Sequence, residues 1–181
     1  MRVLIACEFS GVVRDAFLVQ GHDAWSCDII PTERPGPHII NDVRNVLDWN
    51  WDLMIAHPPC TYLARVSAPY WKNPRRNDLA KEALNFVELL MKAPIPKIAI
   101  ENPYGKAWDI RRPDQIIHPW QFGHNTTKAT CLWLMGLPPL MATLIIWPKP
   151  RAVWRGNTAR NRSRTYPGIA AAMASQWGHV A

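Results

Sequence analysis

The sequence lacks the features that mark several classes of protein. Its four cysteines form neither a CxxC pair nor a Cys/His spacing typical of a metal site, so we expect no bound metal. No apolar run approaches the length of a membrane-spanning helix, and there is no signal peptide, so we expect a cytoplasmic protein without a membrane partner. A disulfide between Cys7 and Cys27 could form near the ends of neighbouring strands, but a reduced chain is the expectation.

What the sequence has is an ordinary hydrophobic content over 181 residues, which suits one domain comprising residues 1–181. The formal net charge of +7 favours a polyanionic partner and says nothing about the fold. Ten tryptophans could serve either the core or base stacking. Seventeen prolines indicate a chain with many loops.

The first part of the chain predicts alternating strands and helices. Short strands are expected at residues 2–6, 22–27 and 38–40, and the apolar pattern at 12–20 predicts a helix. The loop at 7–11 could offer backbone N–H groups to a ligand, although with a single glycine the pattern is a common one.

Two acids follow these strands. Asp28 ends the second strand about 20 residues after the first loop, a position suited to a ribose diol, although helix caps and turns use such residues equally often. Asp42 follows the third strand in the same way.

The central feature is the stretch 52–61. An apolar strand ends on Pro58 and Pro59, which cannot continue a ladder, and Cys60 follows on a rigid turn. Ligands of open α/β sheets bind at the carboxyl ends of the strands, so Cys60 is a candidate nucleophile. The alternative is a buried, inert cysteine after a tight turn. His57 could favour the thiolate, but a packed or exposed histidine is the commoner outcome.

A second strand end brings a carboxylate to the same edge. Residues 78–92 have the apolar periodicity of a helix, and the apolar strand 97–100 ends at Glu101. A strand–helix–strand unit makes its strands parallel, so the Cys60 and Glu101 turns lie ~4.8 Å apart at the backbone if the strands are neighbours. We therefore expect the thiol and the carboxylate to face one pocket.

Two further segments mix basic and aromatic residues. Segment 61–74 predicts either a mobile loop suited to stacking and phosphate contact, or a solvated loop with a few packed aromatics. For the arginines between 151 and 164, phosphate contact is favoured over a solvated segment.

The last elements predict a hairpin and a helix. Strands are expected at 116–122 and 130–134. A final helix begins at Pro167, with Ser163 and Thr165 capping it.

Together these motifs resemble the C5-cytosine DNA methyltransferases. Pro58-Pro59-Cys60 is similar to that family's Pro-Pro-Cys motif and Glu101-Asn102-Pro103 to its Glu-Asn-Val motif, in the same order and with the same intervening helix. Phe9-Ser10-Gly11 resembles the start of its cofactor loop, and Asn41-Asp42-Val43 resembles its Gly-Asp-Ile segment. Over most of its length the chain also looks like small phage and prophage proteins described as cytosine methyltransferases.

The resemblance implies roles for individual residues. It implies S-adenosylmethionine as the cofactor, Cys60 as the nucleophile that adds to C6 of cytosine, and Glu101 as the acid at N3. The residues expected to bind the cofactor are Cys7, Glu8, Phe9, Ser10, Gly11, Asp28, Ile29, Asp42, Val43 and Pro58. Those expected to bind the substrate, from the resemblance or from their charge, are Pro59, Asn102, Lys128, Arg162 and Arg164.

The sequence also departs from that family. Glu8 and Ser10 crowd a loop where the family usually has three glycines, and Thr61 follows Cys60 where the family has glutamine. Lys128 is the nearest match to the family's Gln-x-Arg-x-Arg strand. The family's target-recognition domain has no counterpart before the final helix.

We therefore expect one α/β domain with a Rossmann-like, class I methyltransferase sheet of about seven strands, mostly parallel with an antiparallel hairpin at one edge. The expected function is methylation of cytosine C5 in DNA, in the host cytoplasm if the protein is phage-encoded. DNA binding should be weakly sequence-specific and favour single strands, and a recognition partner or a homodimer could complete the site. Two alternatives stay open: a catalytically silent nucleic-acid-binding relative, and an enzyme acting on a free pyrimidine nucleotide.

Overall fold

The computed structural model describes residues 1–147 and 163–180. The strands in this part of the chain are β1 (Arg2–Ala6), β2 (Asp23–Asp28), β3 (His38–Ile40), β4 (Leu53–Ala56), β5 (Lys97–Asn102), β6 (Gln115–Ile117) and β7 (Thr130–Met135). They form one sheet in the order β3-β2-β1-β4-β5-β7-β6. Strands β1 to β5 are parallel, while β7 is antiparallel to both β5 and β6. The predicted Rossmann-like sheet with an antiparallel edge is confirmed.

Helices cover both faces of the sheet, because alternate residues of a buried strand point to opposite sides. Within residues 1–147 and 163–180 the helices are α1 (Val12–Val19), α2 (Pro74–Met91) and α3 (Pro167–Trp177). On one face, Ile55 and Ala99 pack into a core that includes residues of α1 and α3. On the other face, Met54 and Ile98 pack into a core that includes residues of α2.

The unit β4–α2–β5 has the predicted parallel geometry. Strands β4 and β5 are direct neighbours, and Ala56 lies opposite Ile100 at their carboxyl ends. The turns that follow the two strands therefore share one edge of the sheet.

Helix α2 begins earlier than predicted. Its first residue is Pro74 rather than Asp78, and the side chain of Asn73 accepts a hydrogen bond from the Arg76 N–H as its cap. Proline is favoured at a first helical position and asparagine at a cap, so both residues stabilise this start. Nor is the preceding segment merely a loop, because Arg65–Tyr70 forms a 3₁₀ turn.

Two predictions about the last elements are wrong in detail. Strand β6 ends at Ile117 because Pro119–Gln121 forms a 3₁₀ turn instead of continuing the strand. Tyr166 is the residue that precedes α3, and its side chain makes no capping hydrogen bond. The first-turn N–H of Gly168 donates instead to His124 Nε2 at 2.9 Å. Thr165 contacts a carboxylate instead, as described below.

None of the four cysteines takes part in a disulfide in this structure, so the possible Cys7–Cys27 disulfide is not formed. Within residues 1–147 and 163–180, no group of three or more histidine, cysteine or acidic side chains is placed to hold a metal ion. None of the helices in the same part of the chain has the length and apolar character needed to cross a membrane.

Candidate functional site

The carboxyl ends of β4 and β5 place His57 beside Glu101. Because Ala56 lies opposite Ile100, the residues that follow them, His57 and Glu101, also lie side by side. In the parallel register the two side chains point to the same face, the one covered by α1 and α3. His57 Nδ1 lies 3.1 Å from Glu101 Oε2. The structure thus pairs Glu101, the predicted acid, with His57. A packed or exposed His57 with no role in the site was the commoner expectation.

A third residue completes this cluster from the far end of the chain. Thr165, just before α3, donates a hydrogen bond from Oγ1 to Glu101 Oε2 at 3.3 Å. The side chains of His57 and Glu101 are only 11% and 14% exposed. A carboxylate this buried needs partners, and His57 and Thr165 supply them.

The pKa values of the pair shift in opposite directions. Burial alone would raise the pKa of Glu101, but the hydrogen bond and charge of His57, the charge of Lys128 and the Thr165 hydroxyl together lower it. Burial alone would lower the pKa of His57, but the Glu101 hydrogen bond and the charges of Glu101 and Glu8 raise it. Both directions favour an imidazolium beside a carboxylate, with the His57 Nδ1 proton between the two side chains.

The Cys60 turn is fixed by hydrogen bonds on both sides. Asn102 is buried, and its Nδ2 donates to the carbonyl of Pro58 at 3.0 Å. The N–H groups of Leu63 and Ala64 both donate to the Cys60 carbonyl, at 3.0 and 2.8 Å. Asn102, which was expected to bind substrate, therefore positions the turn that presents Cys60. Cys60 itself is partly exposed and Pro59 is exposed.

A short backbone strap links the two turns beyond Cys60 and Glu101. Ala64 and Gly105 form an antiparallel bridge. The Arg65 N–H donates to Tyr104 at 2.7 Å, and the Lys106 N–H donates to Leu63 at 2.8 Å. A Cβ at Gly105 would lie 1.8 Å from the Leu63 carbonyl oxygen, so the approach requires glycine.

Loop 7–11 differs from the expected ligand loop. The buried Glu8 carboxylate accepts hydrogen bonds from the backbone N–H groups of Val13 at 2.8 Å and Arg14 at 3.2 Å, and from the Ser10 hydroxyl at 2.9 Å. Ser10 Oγ in turn accepts from the Val12 N–H at 3.3 Å. The N–H groups of Val12, Val13 and Arg14 at the start of α1 are therefore occupied by the side chains of Ser10 and Glu8.

A small cavity of about 40 Å³ lies between this loop and the His57 cluster. Its lining residues are Cys7, Glu8, Phe9, Ser10, His57, Ser163 and Thr165. It has room for about one water molecule. His57 Nε2 is buried without a hydrogen-bond partner. Among the described residues, neither Cys60 nor Glu101 lines this cavity. The expectation that the thiol and the carboxylate face one pocket therefore stays a prediction.

The acids after β2 and β3 lie at the same edge. Asp28 is half-buried, which raises the pKa of its carboxyl group, and it accepts a hydrogen bond from the Ile30 N–H at 3.3 Å. The neighbouring Ile29 is 74% exposed. A carboxylate beside an exposed aliphatic side chain fits a ribose diol and the face of an adenine.

Asp42 and Val43 begin a short 3₁₀ turn, Val43–Asn45, after β3. The Asp42 carboxylate caps this turn and forms an ion pair with Arg44, and these hydrogen bonds lower the pKa of Asp42. Val43 is buried.

The remaining residues expected at the substrate site are dispersed. Lys128 is close enough to the cluster to lower the pKa of Glu101. Arg164 makes a two-pronged ion pair with Glu33, with both bonds at 2.8 Å. Arg162 and the arginines at 151, 155 and 160 lie outside the described residues.

The sequence analysis missed the roles of His57, Thr165 and Glu8. The register of β4 and β5 could have paired His57 with Glu101, since each residue comes directly after the apolar stretch of its strand. No comparable signal exists for Thr165, which is 64 positions from Glu101 in the chain.

Comparisons with known proteins support the fold. No protein-family model matches the chain, and no curated protein sequence matches it either. Among matching solved structures is a protein provisionally described as a DNA modification methyltransferase encoded within a prophage of E. coli. The two share 15% sequence identity with a TM-score of 0.52 over 81% of this chain. This chain spans 52% of the length of that one, about half.

Proposed function

We propose that this protein is an S-adenosylmethionine-dependent methyltransferase that methylates cytosine C5 in DNA through a covalent adduct on Cys60. The observation that carries the proposal is the pair of linked strand ends. Cys60 follows β4 on a turn held by Asn102, and Glu101 lies beside β4 in the next strand. The resemblance of both motifs to the C5-cytosine family supports this reaction, and so does the description of the prophage protein with a similar fold.

The cofactor would lie across the ends of β1, β2 and β3. Asp28 would bind the ribose, Ile29 would contact the adenine, and Asp42 would accept from its amino group. When bound, S-adenosylmethionine supplies an electrophilic methyl group. Because Glu8 already uses the donors at the start of α1, the methionine part would have to bind through other groups of loop 7–11.

Cysteine addition makes the cytosine ring reactive at C5. C5 of cytosine is a poor nucleophile until the Cys60 thiolate adds to C6. The new S–C6 bond displaces the ring π electrons toward N3, which becomes protonated, and C5 then acts as an enamine carbon. After methyl transfer to C5, water would take the C5 proton, the Cys60 sulfur would leave C6 as a thiolate, and N3 would return its proton to the His57–Glu101 pair, which restores the ring.

The His57–Glu101 pair would supply the proton for N3. The pKa directions favour a proton on His57 and a negative charge on Glu101. As the thiolate adds to C6, His57 would give its Nδ1 proton to Glu101 Oε2 and Glu101 would pass a proton to N3. This leaves a neutral imidazole beside a carboxylate that accepts a hydrogen bond from the N3–H. Thr165 holds the same oxygen of Glu101 and so acts as a positioning residue.

The proposal is tested by transfer of labelled methyl from S-adenosylmethionine to cytosine-containing DNA, followed by separation of the nucleosides. We expect label in 5-methyldeoxycytidine. Label in another nucleoside would contradict C5 chemistry, and label in dCMP but not in DNA would favour the enzyme that acts on a free nucleotide.

One observation favours a second candidate, a nucleic-acid-binding relative without catalysis. The Glu8 carboxylate fills the position where a ligand could meet the start of α1, and the adjoining cavity is about 40 Å³. Calorimetry with S-adenosylmethionine separates the candidates. Saturable binding is expected of the enzyme, and no detectable heat at millimolar cofactor would favour the silent relative.

A further inference from the structure

A cleft of about 330 Å³ lies on the α2 side of the sheet edge, next to the turns that hold Cys60 and Glu101. It is formed by the 3₁₀ turn Arg65–Tyr70 and by a second one, Lys106–Asp109, with the residues beside them. The Ala64–Gly105 bridge joins the two turns and fixes their spacing. The volume falls in the range of small-ligand sites, ~300–1,000 Å³.

Aromatic side chains form much of the cleft wall. Trp71, Tyr104 and Trp108 line it, and each is half-buried, so part of each ring faces the solvent. The Trp71 indole is fixed because its Nε1 donates to the Tyr62 carbonyl at 3.0 Å. The Tyr104 and Trp108 rings lie 5.0 Å apart at an interplanar angle of 44°. These are preformed apolar surfaces suited to a flat ligand.

The charged residues of the cleft favour an anion. Arg65 and Lys106 line it together with one acid, Asp109. The Lys106 ammonium stands 4.9 Å from the centre of the Trp71 ring, and the Arg112 guanidinium stands 4.7 Å from that of Trp108. The cation–π contact of Lys106 with the exposed Trp71 ring is weaker than the stacking of a base on that ring. A base can therefore take the place of the Lys106 ammonium, which then moves to a phosphate. The Asp109 carboxylate accepts hydrogen bonds and donates none, so its partner on a base would be an exocyclic amino group.

We infer that this cleft binds a nucleobase of single-stranded DNA that flanks the target cytosine, with Arg65 and Lys106 on the adjoining phosphate. The inference rests on the proposed function for the choice of DNA as ligand. The cleft begins where the Cys60 turn ends, since Ala64 both donates to the Cys60 carbonyl and pairs with Gly105. A strand that presents one base to Cys60 would reach the cleft with a neighbouring base by passing around this edge of the sheet. Stacking of this kind is tolerant of sequence, and a double helix cannot offer an unstacked base to it.

The first test is affinity for a fluorescent oligodeoxyadenylate without cofactor. This probe contains no cytosine, so its binding does not depend on methyl transfer. We expect Tyr104→Leu, which keeps an apolar side chain, to weaken binding about five- to a hundredfold. Lys106→Gln should make the slope of log affinity against log salt shallower by about 0.7, the value for one lost phosphate contact to a single strand.

The matched control is Lys92→Gln. Lys92 is exposed and pairs with Glu88 at the carboxyl end of α2. The Lys92→Gln variant removes one positive charge, as Lys106→Gln does. It should leave affinity at fixed salt and the salt slope near wild type. If Lys106→Gln and Lys92→Gln behave alike and Tyr104→Leu binds as wild type does, the cleft is not the site. Wild-type protein that does not bind the probe would also overturn the inference.

A second measurement locates the base directly. An oligonucleotide with one 5-iododeoxyuridine, irradiated on the protein, reacts with the aromatic side chains on which that base stacks. We expect mass spectrometry to find the cross-link in the peptides that contain Trp71, Tyr104 or Trp108. Cross-links confined to other peptides would overturn the assignment. Neither result depends on cytosine methylation, so a failure of the proposed function remains distinguishable from a failure of this site.

Discussion

The residues at the centre of the account are Cys60, His57 and Glu101. Burying a charged pair costs desolvation energy that the mutual attraction recovers only in part, so such a pair is weak evidence of a stabilising role. Here the pair stands at the carboxyl edge of a parallel sheet, where ligands bind. Perturbed ionisable groups in such a position are typical of functional sites. The position of the pair therefore supports the proton transfer proposed above.

The pH dependence of stability tests the pairing of His57 with Glu101. The pKa of His57 is raised above 6.5, so above that pH the folded state holds a proton that the unfolded state has lost. Stability from His57 is therefore fully present below pH 6.5 and is lost as the pH rises through the folded-state pKa. We expect the advantage of wild type over His57→Gln in free energy of unfolding to be larger at pH 6 than at pH 9.

The contribution of Glu101 to the free energy of unfolding depends on pH in the opposite direction and at lower pH. The pKa of Glu101 is below 4.5, so its contribution is present above that pH and is lost in acid. Glu101→Gln should also remove most of the pH dependence between 6 and 9, because His57 loses the carboxylate that raises its pKa. Parallel stability curves for wild type and both variants would show that the two groups do not share a proton.

Asp28 allows a second test at the scale of one residue. Loss of a charged hydrogen-bond partner costs about 1.5–3 kcal/mol, so Asp28→Ala should weaken S-adenosylmethionine binding roughly tenfold to a hundredfold. Calorimetric titration measures this. Asp52→Ala is a control, since Asp52 lies before β4 at the opposite edge and accepts from the Arg2 N–H. Unchanged affinity in Asp28→Ala would place the cofactor elsewhere.

How far the sequence predicts these residues depends on the kind of contact. Cys60 and Glu101 were identified because each follows an apolar strand, and the strand–helix–strand unit between them determines their relative placement. The hydrogen bond from Thr165 to Glu101 was not predicted, because it joins segments that are distant in the chain. Glu8 was assigned to the cofactor because loop 7–11 resembles the cofactor loop of the C5-cytosine methyltransferases. That its carboxylate accepts from the first N–H groups of α1 has no local sequence signature.

At the scale of elements, apolar periodicity predicted the strands and α2 well. The start of α2 was missed because its first turn, Pro74-Arg75-Arg76, contains no residue of the apolar stripe. The cleft was missed for a different reason. The segment 61–74 was identified as basic and aromatic, but its partner at Lys106–Asp109 is a second turn brought close by one backbone bridge.

The strap between the two turns makes a direct prediction. In Gly105→Ala the new Cβ would lie 1.8 Å from a backbone oxygen, so Leu63 or Gly105 must move. We expect a loss of stability of more than about 3 kcal/mol, or a displaced Cys60 turn with loss of activity. Gly21→Ala is the control. Gly21 has a φ of +80° but no atom within 4 Å of the new Cβ, so only about 1–2 kcal/mol of backbone strain is expected.

Denaturant unfolding compares the two glycine variants on the same scale. If Gly105→Ala costs no more than Gly21→Ala and keeps full activity, the strap does not position the Cys60 turn. An intact Gly105→Ala fold with lost activity would instead indicate that the strap acts on the site rather than on stability.

At the scale of the whole molecule, charge and shape limit how DNA is bound. The net charge of +7 supplies attraction to phosphates, and the strands of the described residues all belong to one sheet. A base in a duplex must leave the stack before a thiol can reach C6, which costs a few kcal/mol. Single-stranded DNA avoids most of that cost.

We therefore predict weak, salt-sensitive DNA binding with little sequence preference and a preference for single strands. Fluorescence anisotropy on matched single-stranded and duplex oligonucleotides, across a salt series, measures it. Log affinity should fall linearly with log salt, as counterion release requires. Tight, salt-insensitive binding to one duplex sequence would contradict the account at this scale.

The central claim, that Cys60 adds to C6 of cytosine, is tested most directly by trapping the adduct. A fluorine at C5 cannot leave as the C5 proton does, so turnover stops after methyl transfer with the thiol still bound. With 5-fluorodeoxycytidine in a single-stranded oligonucleotide and S-adenosylmethionine present, the account predicts a denaturation-resistant complex whose cross-linked peptide contains Cys60. It predicts none with Cys60→Ser, which should keep cofactor affinity. A wild-type protein that methylates cytosine but forms no adduct, or an adduct on another residue, would contradict the account.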